Sequence, residues 1–166
     1  MQALSRLPRF DAPGHRGDAF LAFESADLAK ILRGSLEFGD EHLAALLSGE
    51  YLETGNRRVG GGDRIAPSGY ESKGGRMAVL SSPTETESWL FDFQFARQPM
   101  TPRIDELVPG FGETEPSASE FFFAPNDRLF AHVRHTREDG WWDATWTVDL
   151  GWQRIVDDRV SRNYLS

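Results

Sequence analysis

A tryptophan-rich stretch near the carboxyl end constrains the fold more than any other part of the chain. Apolar residues alternate with Asp and Thr from Trp142 to Trp152. This period of two is typical of a β-strand with one buried face. Asp139-Gly140, a preferred pair for a two-residue turn, comes just before it. Residues 129–152 are therefore predicted to form an antiparallel hairpin.

The predicted turn sets the register of the two histidines in this hairpin. It places His135 opposite Ala144, on the apolar face and between Trp142 and Trp146. His132 is three positions from His135, so the two imidazoles point to opposite faces and do not share a metal ion. Because the chain also has no Cys, neither a metal site nor a cofactor is predicted.

The composition favours one folded domain. Hydrophobic residues make up 39% of the 166 residues and include 12 Phe, 5 Trp and 3 Tyr, which argues against a largely disordered chain. A single domain is predicted over residues 19–166, after a flexible Pro-, Gly- and Arg-rich arm at residues 1–18. No apolar run is long enough to span a bilayer, and the amino end lacks a signal-peptide core, so a cytoplasmic location is expected.

Short helices are predicted early in the chain. Ser25 and Asp40 are favoured N-cap residues, and Gly34 and Gly49 follow the apolar runs as helix ends. Thr101-Pro102 has the pattern of another helix start, and that helix is predicted to run to residue 108. The other strands are predicted at residues 19–24, 77–80, 89–95 and 121–123.

These elements predict an α+β fold. Short N-terminal helices pack on a curved antiparallel sheet of about five strands, cone- or sandwich-like, that ends in the tryptophan-rich hairpin. This layout resembles the cone-shaped nuclear transport factor 2-like superfamily. The resemblance implies an aromatic pocket inside the cone.

Charge is unevenly distributed along the chain. The net charge is −8, and acidic residues dominate residues 37–54 and 81–120. Such a balance disfavours direct binding to nucleic acid or to anionic membranes. Residues 55–75 are predicted to form a flexible Gly-rich basic loop, which lacks the Gly-Lys-Ser/Thr ending of a phosphate-binding loop. Its basic residues are Arg57, Arg58, Arg64 and Lys73.

The first functional hypothesis is a non-enzymatic, acidic protein-binding module. It would be a bacterial or phage inhibitor, of the immunity or anti-defence type, that masks the basic surface of a nuclease or nucleic-acid-binding complex. Its own oligomeric state is left open, a dimer included. The candidate partner-binding residues are Glu37, Asp40, Glu41, Glu50, Glu53, Glu85, Glu87, Asp105 and Glu106.

The alternative hypothesis is a small-molecule binding protein or cofactor-free enzyme with an aromatic pocket. His135 and Asp92 would supply its polar groups, and Trp142 and Trp146 its walls. A catalytic His usually has an orienting carboxylate, and the sequence locates none beside His135. No catalytic residue is assigned under the first hypothesis.

Overall fold

The computed structural model describes residues 7–8 and 13–165, and these form one eight-stranded antiparallel sheet. The strands follow one another across the sheet in the order β1-β2-β3-β4-β5-β7, and β8 pairs with the far side of β7. The short β6 pairs with Phe122 and Phe123 of β7. The strand bounds are β1 Gly14–Glu24, β2 Ala29–Gly39, β3 Leu43–Glu53, β4 Glu71–Thr84, β5 Glu87–Gln98, β6 Thr101–Pro102, β7 Ala118–Arg137 and β8 Trp146–Asn163.

The α+β prediction is wrong. The apolar runs that were predicted to form two N-terminal helices lie in the strands β2 and β3. The only helical segments among the described residues are the single turn α1, Ile104–Leu107, and a 3-10 turn at Trp141–Asp143. Thr101 and Pro102, predicted to start a helix, form β6 instead. The resemblance to the cone-shaped superfamily depended on these helices and is therefore not supported.

Adjacent apolar residues explain the misreading of β2 and β3. Ile31-Leu32 and Leu46-Leu47 look like part of a helical stripe, but in a strand each pair places one side chain on either face. Gly34 and Gly49 are not helix ends, since they lie opposite each other in the middle of paired strands.

Asp40 keeps its capping chemistry in a different setting. Its Oδ1 accepts the backbone N–H groups of His42 and Leu43 at 2.8 and 2.9 Å, in the turn between β2 and β3. A short polar side chain that accepts neighbouring N–H groups is favoured in turns as well as at helix N-termini. Asp40 therefore accepts neighbouring N–H groups as predicted for an N-cap, but it does so in a turn between two strands.

The β7–β8 hairpin has a wider loop than predicted. Arg137 pairs with Trp146, so the loop covers residues 138–145, and His135 lies opposite Val148 rather than Ala144. The predicted two-residue turn does not form, and the Trp141 and Trp142 rings stack within the loop at 5.7 Å between centroids. A displacement of four residues is even, so it leaves the strand residues on their predicted faces.

The pairing registers define two faces of the sheet. The row through Phe93 contains Leu36, Leu47, Met77, Ala131 and Trp152. We call this side the apolar face; it also presents Leu21, Leu32, Phe91, Phe95, Val148 and Leu150. We call the other side the charged face; it presents Arg16, Glu37, Arg76, Asp92, His132 and Asp149.

Burial is concentrated on the charged face. Ala44 and Ala78 are fully enclosed there, and Leu46 and Leu90 are nearly so. On the apolar face, by contrast, Phe93 is 41% exposed and Trp152 is 55% exposed. Among the described residues no large side chain is completely buried. The sheet therefore leaves much of its hydrophobic content in contact with water.

The Gly-rich segment between β3 and β4 is shorter than predicted and closed by its own hydrogen bonds. Residues 54–70 form the loop, and residues 71–75 belong to β4. The Asn56 Oδ1 atom accepts the N–H groups of Ser68 and Gly69 at 2.9 and 3.2 Å. Ser68 Oγ accepts the Arg57 N–H at 2.7 Å and donates to the Ile65 carbonyl at 2.6 Å. Asn56 and Ser68 thus tie the two ends of the loop together.

Substituting Asn56 with Ala is expected to loosen this loop. Two partly buried N–H groups lose their acceptor, which costs about 1–3 kcal/mol. Hydrogen exchange should speed up at Ser68 and Gly69. Asn126→Ala is the matched control, because Asn126 is exposed and its side chain has no hydrogen bond to a described residue. Unchanged exchange in Asn56→Ala would show that the loop does not depend on this amide.

The predicted flexible arm lies partly outside the described residues. Residues 1–6 and 9–12 are not described, whereas residues 14–18 belong to β1. None of the helices in the described part of the chain has the length and apolar character needed to cross a membrane.

Candidate functional site

Basic side chains on neighbouring strands, or nearby in the sequence, pair with several of the acidic candidates. Glu37 is buried and lies 2.7 Å from Arg16 Nη2. Arg103 Nη2 lies 3.1 Å from Asp105 and 3.6 Å from Glu106. The remaining contacts are Glu50 with Arg33 at 3.7 Å and Glu53 with Lys30 at 3.2 Å. Such pairs reduce the negative charge that a partner could meet.

The other acidic candidates lie in turns or in a separate cluster. Hydrogen bonds from the backbone N–H groups of His42 and Leu43 lower the pKa of Asp40 below its ordinary value. Glu41 and Glu85 have no hydrogen bond or ion pair with any described residue.

The structure does not bring the nine acidic candidates onto one surface. Glu37 and Glu50 lie on the charged face, whereas Glu53 and Glu87 lie on the apolar face.

The basic candidates are also separated. Arg58 and Arg64 form an isolated antiparallel bridge within the loop, and Arg64 Nη1 donates to the Asn56 carbonyl at 2.5 Å. Lys73 lies in β4, where its Nζ is 3.2 Å from Glu71. Arg57 contributes its backbone N–H to the Ser68 hydroxyl. These residues do not form a single anion-binding cluster.

His135 has a carboxylate partner that the sequence did not reveal. Its Nε2 lies 3.0 Å from Glu87 Oε1, and the same oxygen accepts Trp89 Nε1 at 3.0 Å. The Trp89 and His135 rings stack at 4.1 Å between centroids. Hydrogen bonds from Trp89 and His135 lower the pKa of Glu87. The pairing of β5 with β7 creates this cluster, and only the register between those strands could have revealed it.

The predicted pairing of Asp92 with His135 does not form. Asp92 lies opposite His132, on the charged face, whereas His135 lies on the apolar face. Trp142 is in the β7–β8 loop and 85% exposed, and Trp146 lies opposite Arg137. The four residues of the predicted aromatic pocket therefore do not line one cavity.

Asp92 instead forms the most buried ion pair described in the sheet. Arg76 Nε and Nη2 donate to its two carboxylate oxygens at 2.9 and 2.6 Å, and Gln94 Nε2 donates at 3.2 Å. Burial by itself raises the pKa of Asp92, but the hydrogen bonds from Arg76 and Gln94 and the charge of Arg76 outweigh it and lower the pKa. This pair is structural in character, because both ends of the carboxylate are already occupied.

A second carboxylate on the charged face is shared between β7 and β8. Asp149 Oδ1 lies 2.8 Å from Arg134 Nε and 2.7 Å from His132 Nε2. Hydrogen bonds from Arg134 and His132 lower the pKa of Asp149. The three residues share the charged face.

The apolar face contains an open depression with a glycine floor. Gly34, Gly49 and Gly75 are paired in one row across β2, β3 and β4. The Phe95 ring covers Gly75, because a Cβ atom there would meet Phe95 Cε1 at 2.5 Å. The depression has a volume of about 520 Å³, and its apolar wall consists of Leu36, Leu47, Met77, Phe93 and Phe95. Sequence reasoning missed it because these glycines were assigned to helix ends and to a loop.

No protein-family model, curated protein or solved structure matches the chain. Within residues 7–8 and 13–165, no group of three or more His, Asp or Glu side chains is arranged to hold a metal ion.

Proposed function

We propose that the protein is a non-enzymatic protein-binding module that binds its partner through the apolar face. The supporting observation is the exposure of large apolar side chains across the whole width of this face. The exposed members include Leu21, Phe23, Leu32, Leu36, Phe38, Leu47, Met77, Phe91, Phe93, Phe95, Val148, Leu150 and Trp152. Contiguous apolar surface of this extent is typical of an interaction site.

The breadth of the face favours a protein over a small molecule. A small-molecule site is concave and encloses most of its ligand. Here the exposed apolar side chains extend from Leu21 on β1 to Trp152 on β8, so the depression at Gly49 is only one part of the surface. A sheet face is normally covered by a second layer of protein.

Acidic residues in three connections at one end of the sheet support a narrower form of the inhibitor hypothesis, in which only these residues supply the negative charge. The β2–β3 turn carries Glu41, the β4–β5 turn carries Glu85, and the β7–β8 loop carries Glu138 and Asp139. Strands that alternate in direction place these three connections at the same end. For a partner that has basic residues beside its apolar patch, these turns would increase the association rate.

The test compares Trp152→Lys with Gln153→Lys. These neighbours on β8 are both exposed, and they point to the apolar and the charged face respectively. Each substitution adds one positive charge, and Trp152→Lys also removes an exposed indole from the apolar face. Tagged wild-type protein and both variants are used to capture partners from lysate of the source organism at low and high salt.

Binding through the apolar face predicts a partner that stays bound at high salt. Trp152→Lys should weaken its affinity at least about thirtyfold, as expected for an aromatic residue within an interface. Gln153→Lys should bind like the wild type. A partner that is released by salt and retained by Trp152→Lys would contradict the proposal. Reversing Glu41 and Glu85, which are exposed and lie in turns, to Lys would then test the acidic hypothesis.

A further inference from the structure

We propose that the partner covering the apolar face is a second copy of this chain, packed sheet against sheet in a twofold homodimer. This inference rests on the proposed function, since it names the partner of the same surface. Two sheets in such an arrangement pack about 10 Å apart with interdigitated side chains. The exposed Phe and Trp rings of both copies then form a shared core.

The accessible surface of the chain exceeds that of a compact monomer of the same mass. It amounts to 11,723 Å². A compact monomer of 18.7 kDa exposes about 8,300 Å². The excess of roughly 3,400 Å² is large enough to contain one side of an obligate homodimer interface, which buries about 1,000–2,500 Å² on each copy. A homodimer of this kind would bury much of this excess surface.

The charge on the apolar face permits self-association. The whole chain has a net charge of −8, so most pairs of its surfaces repel each other. Over β1–β5 and the paired residues 126–137 and 146–157, the apolar face is nearly neutral. Its basic residues are Lys30, Lys73, Arg97, Arg137 and Arg154, and its acidic residues are Glu53, Glu71, Glu87 and Asp127. A strongly basic partner would gain little at this face, whereas the facing surfaces of two copies carry almost no net charge.

The two halves of the apolar face are complementary in shape. On β2 and β3, a Cβ atom added at Gly34 or Gly49 would meet nothing closer than 3.6 or 3.7 Å, so the floor of the depression is open. On β8, Trp152 projects from the same face, in the row of Leu36 and Leu47 and one row away from Gly34 and Gly49. A twofold axis parallel to the strands and close to β5 sets β8 of one copy over β2 and β3 of the other. The Trp152 ring of each copy then lies over the Leu36 and Leu47 side of the other copy's depression, at two symmetric places.

Gly49→Leu tests this arrangement without disturbing the sheet itself. The new side chain fills the depression, and its Cβ makes only ordinary contact with the Gly74 carbonyl. Gly151→Leu is the matched control, because Gly151 is also within a strand, lies on the charged face and has nothing within 4 Å of an added Cβ. Sedimentation equilibrium over a range of protein concentrations gives the dimer dissociation constant of each purified protein.

We expect the wild type to be a dimer and Gly49→Leu to raise the dissociation constant at least about tenfold, as an overpacked contact does. Gly151→Leu should match the wild type. If Gly49→Leu does not fold, Trp152→Lys against Gln153→Lys gives the same comparison on the edge strand. A dimer that survives both Gly49→Leu and Trp152→Lys would mean that another surface joins the copies.

A wild-type protein that stays monomeric at all concentrations would overturn the homodimer. In that case, capture of a different protein that resists salt and depends on Trp152 would leave the proposed function standing. Failure of that capture as well would remove the proposed function together with the dimer. The two experiments therefore separate the failure of the partner assignment from the failure of the surface assignment.

Discussion

Replacing Arg76 with Met is expected to lower the free energy of unfolding by about 3 kcal/mol, the cost of leaving a buried carboxylate without its cation. Arg76 and Asp92 have side chains only 12% and 8% exposed, and two hydrogen bonds join them. Removing Arg76 leaves Gln94 as the remaining side-chain donor whose contact with Asp92 is described.

Urea denaturation at neutral pH measures this loss, and the double variant Arg76→Met with Asp92→Leu is its control. Removing both charges avoids the unpaired carboxylate, so the double variant should be more stable than Arg76→Met alone. If the single and double variants lose equal stability, the pair does not behave as a buried ion pair.

The same ion pair predicts how stability depends on pH. The pKa of Asp92 is lowered in the folded protein, so folding favours its ionised form. Its contribution is complete above the pKa of an unfolded Asp, about 4, and is lost as the pH falls through the lower folded pKa. The stability difference between the wild type and Asp92→Asn should therefore shrink on acidification.

Leu90→Ala is expected to lower the free energy of unfolding by about 3 kcal/mol, because it empties a site on the more buried side of the sheet. Leu90 is 7% exposed, whereas its neighbour Phe91 is 45% exposed on the other face. The loss at Leu90 should be the same at every protein concentration, since it lies within one copy. Phe91→Ala should instead lose stability mainly where the copies associate.

Thermal or urea unfolding at two protein concentrations, tenfold or more apart, distinguishes these cases. A midpoint that depends on concentration in the wild type and less so in Phe91→Ala would agree with association through the apolar face. If Leu90→Ala costs less than Phe91→Ala under all conditions, the assignment of the buried face is wrong.

Some features of the sheet could be predicted from the sequence because a period of two survives changes of register. The opposite orientation of His132 and His135 follows from their spacing, and the shared face of Trp146 and Trp152 follows from the alternation. Both hold in the structure, although the pairing moved by four residues. An even displacement moves residues along the strand without exchanging its faces.

The remaining errors came from patterns that two structures share. Ile31-Leu32 satisfies a helical stripe as well as a strand with apolar residues on both faces, and Asp40 caps a turn as readily as a helix. Glycine has no side chain, so the hydrophobic pattern does not show which face of a strand it lies on. The row of Gly34, Gly49 and Gly75 follows only from the register of the strands.

The amino-acid sequence by itself determined the alternation of the carboxyl-terminal strands, the absence of Cys and the acidic balance, because these depend on residue types and their local spacing. Tertiary structure decided which side chains meet. Asp92 pairs with Arg76 and His135 with Glu87 because the registers of β4, β5 and β7 bring residues 16 and 48 positions apart into contact. Such contacts depend on the alignment of separate strands, which local sequence does not encode.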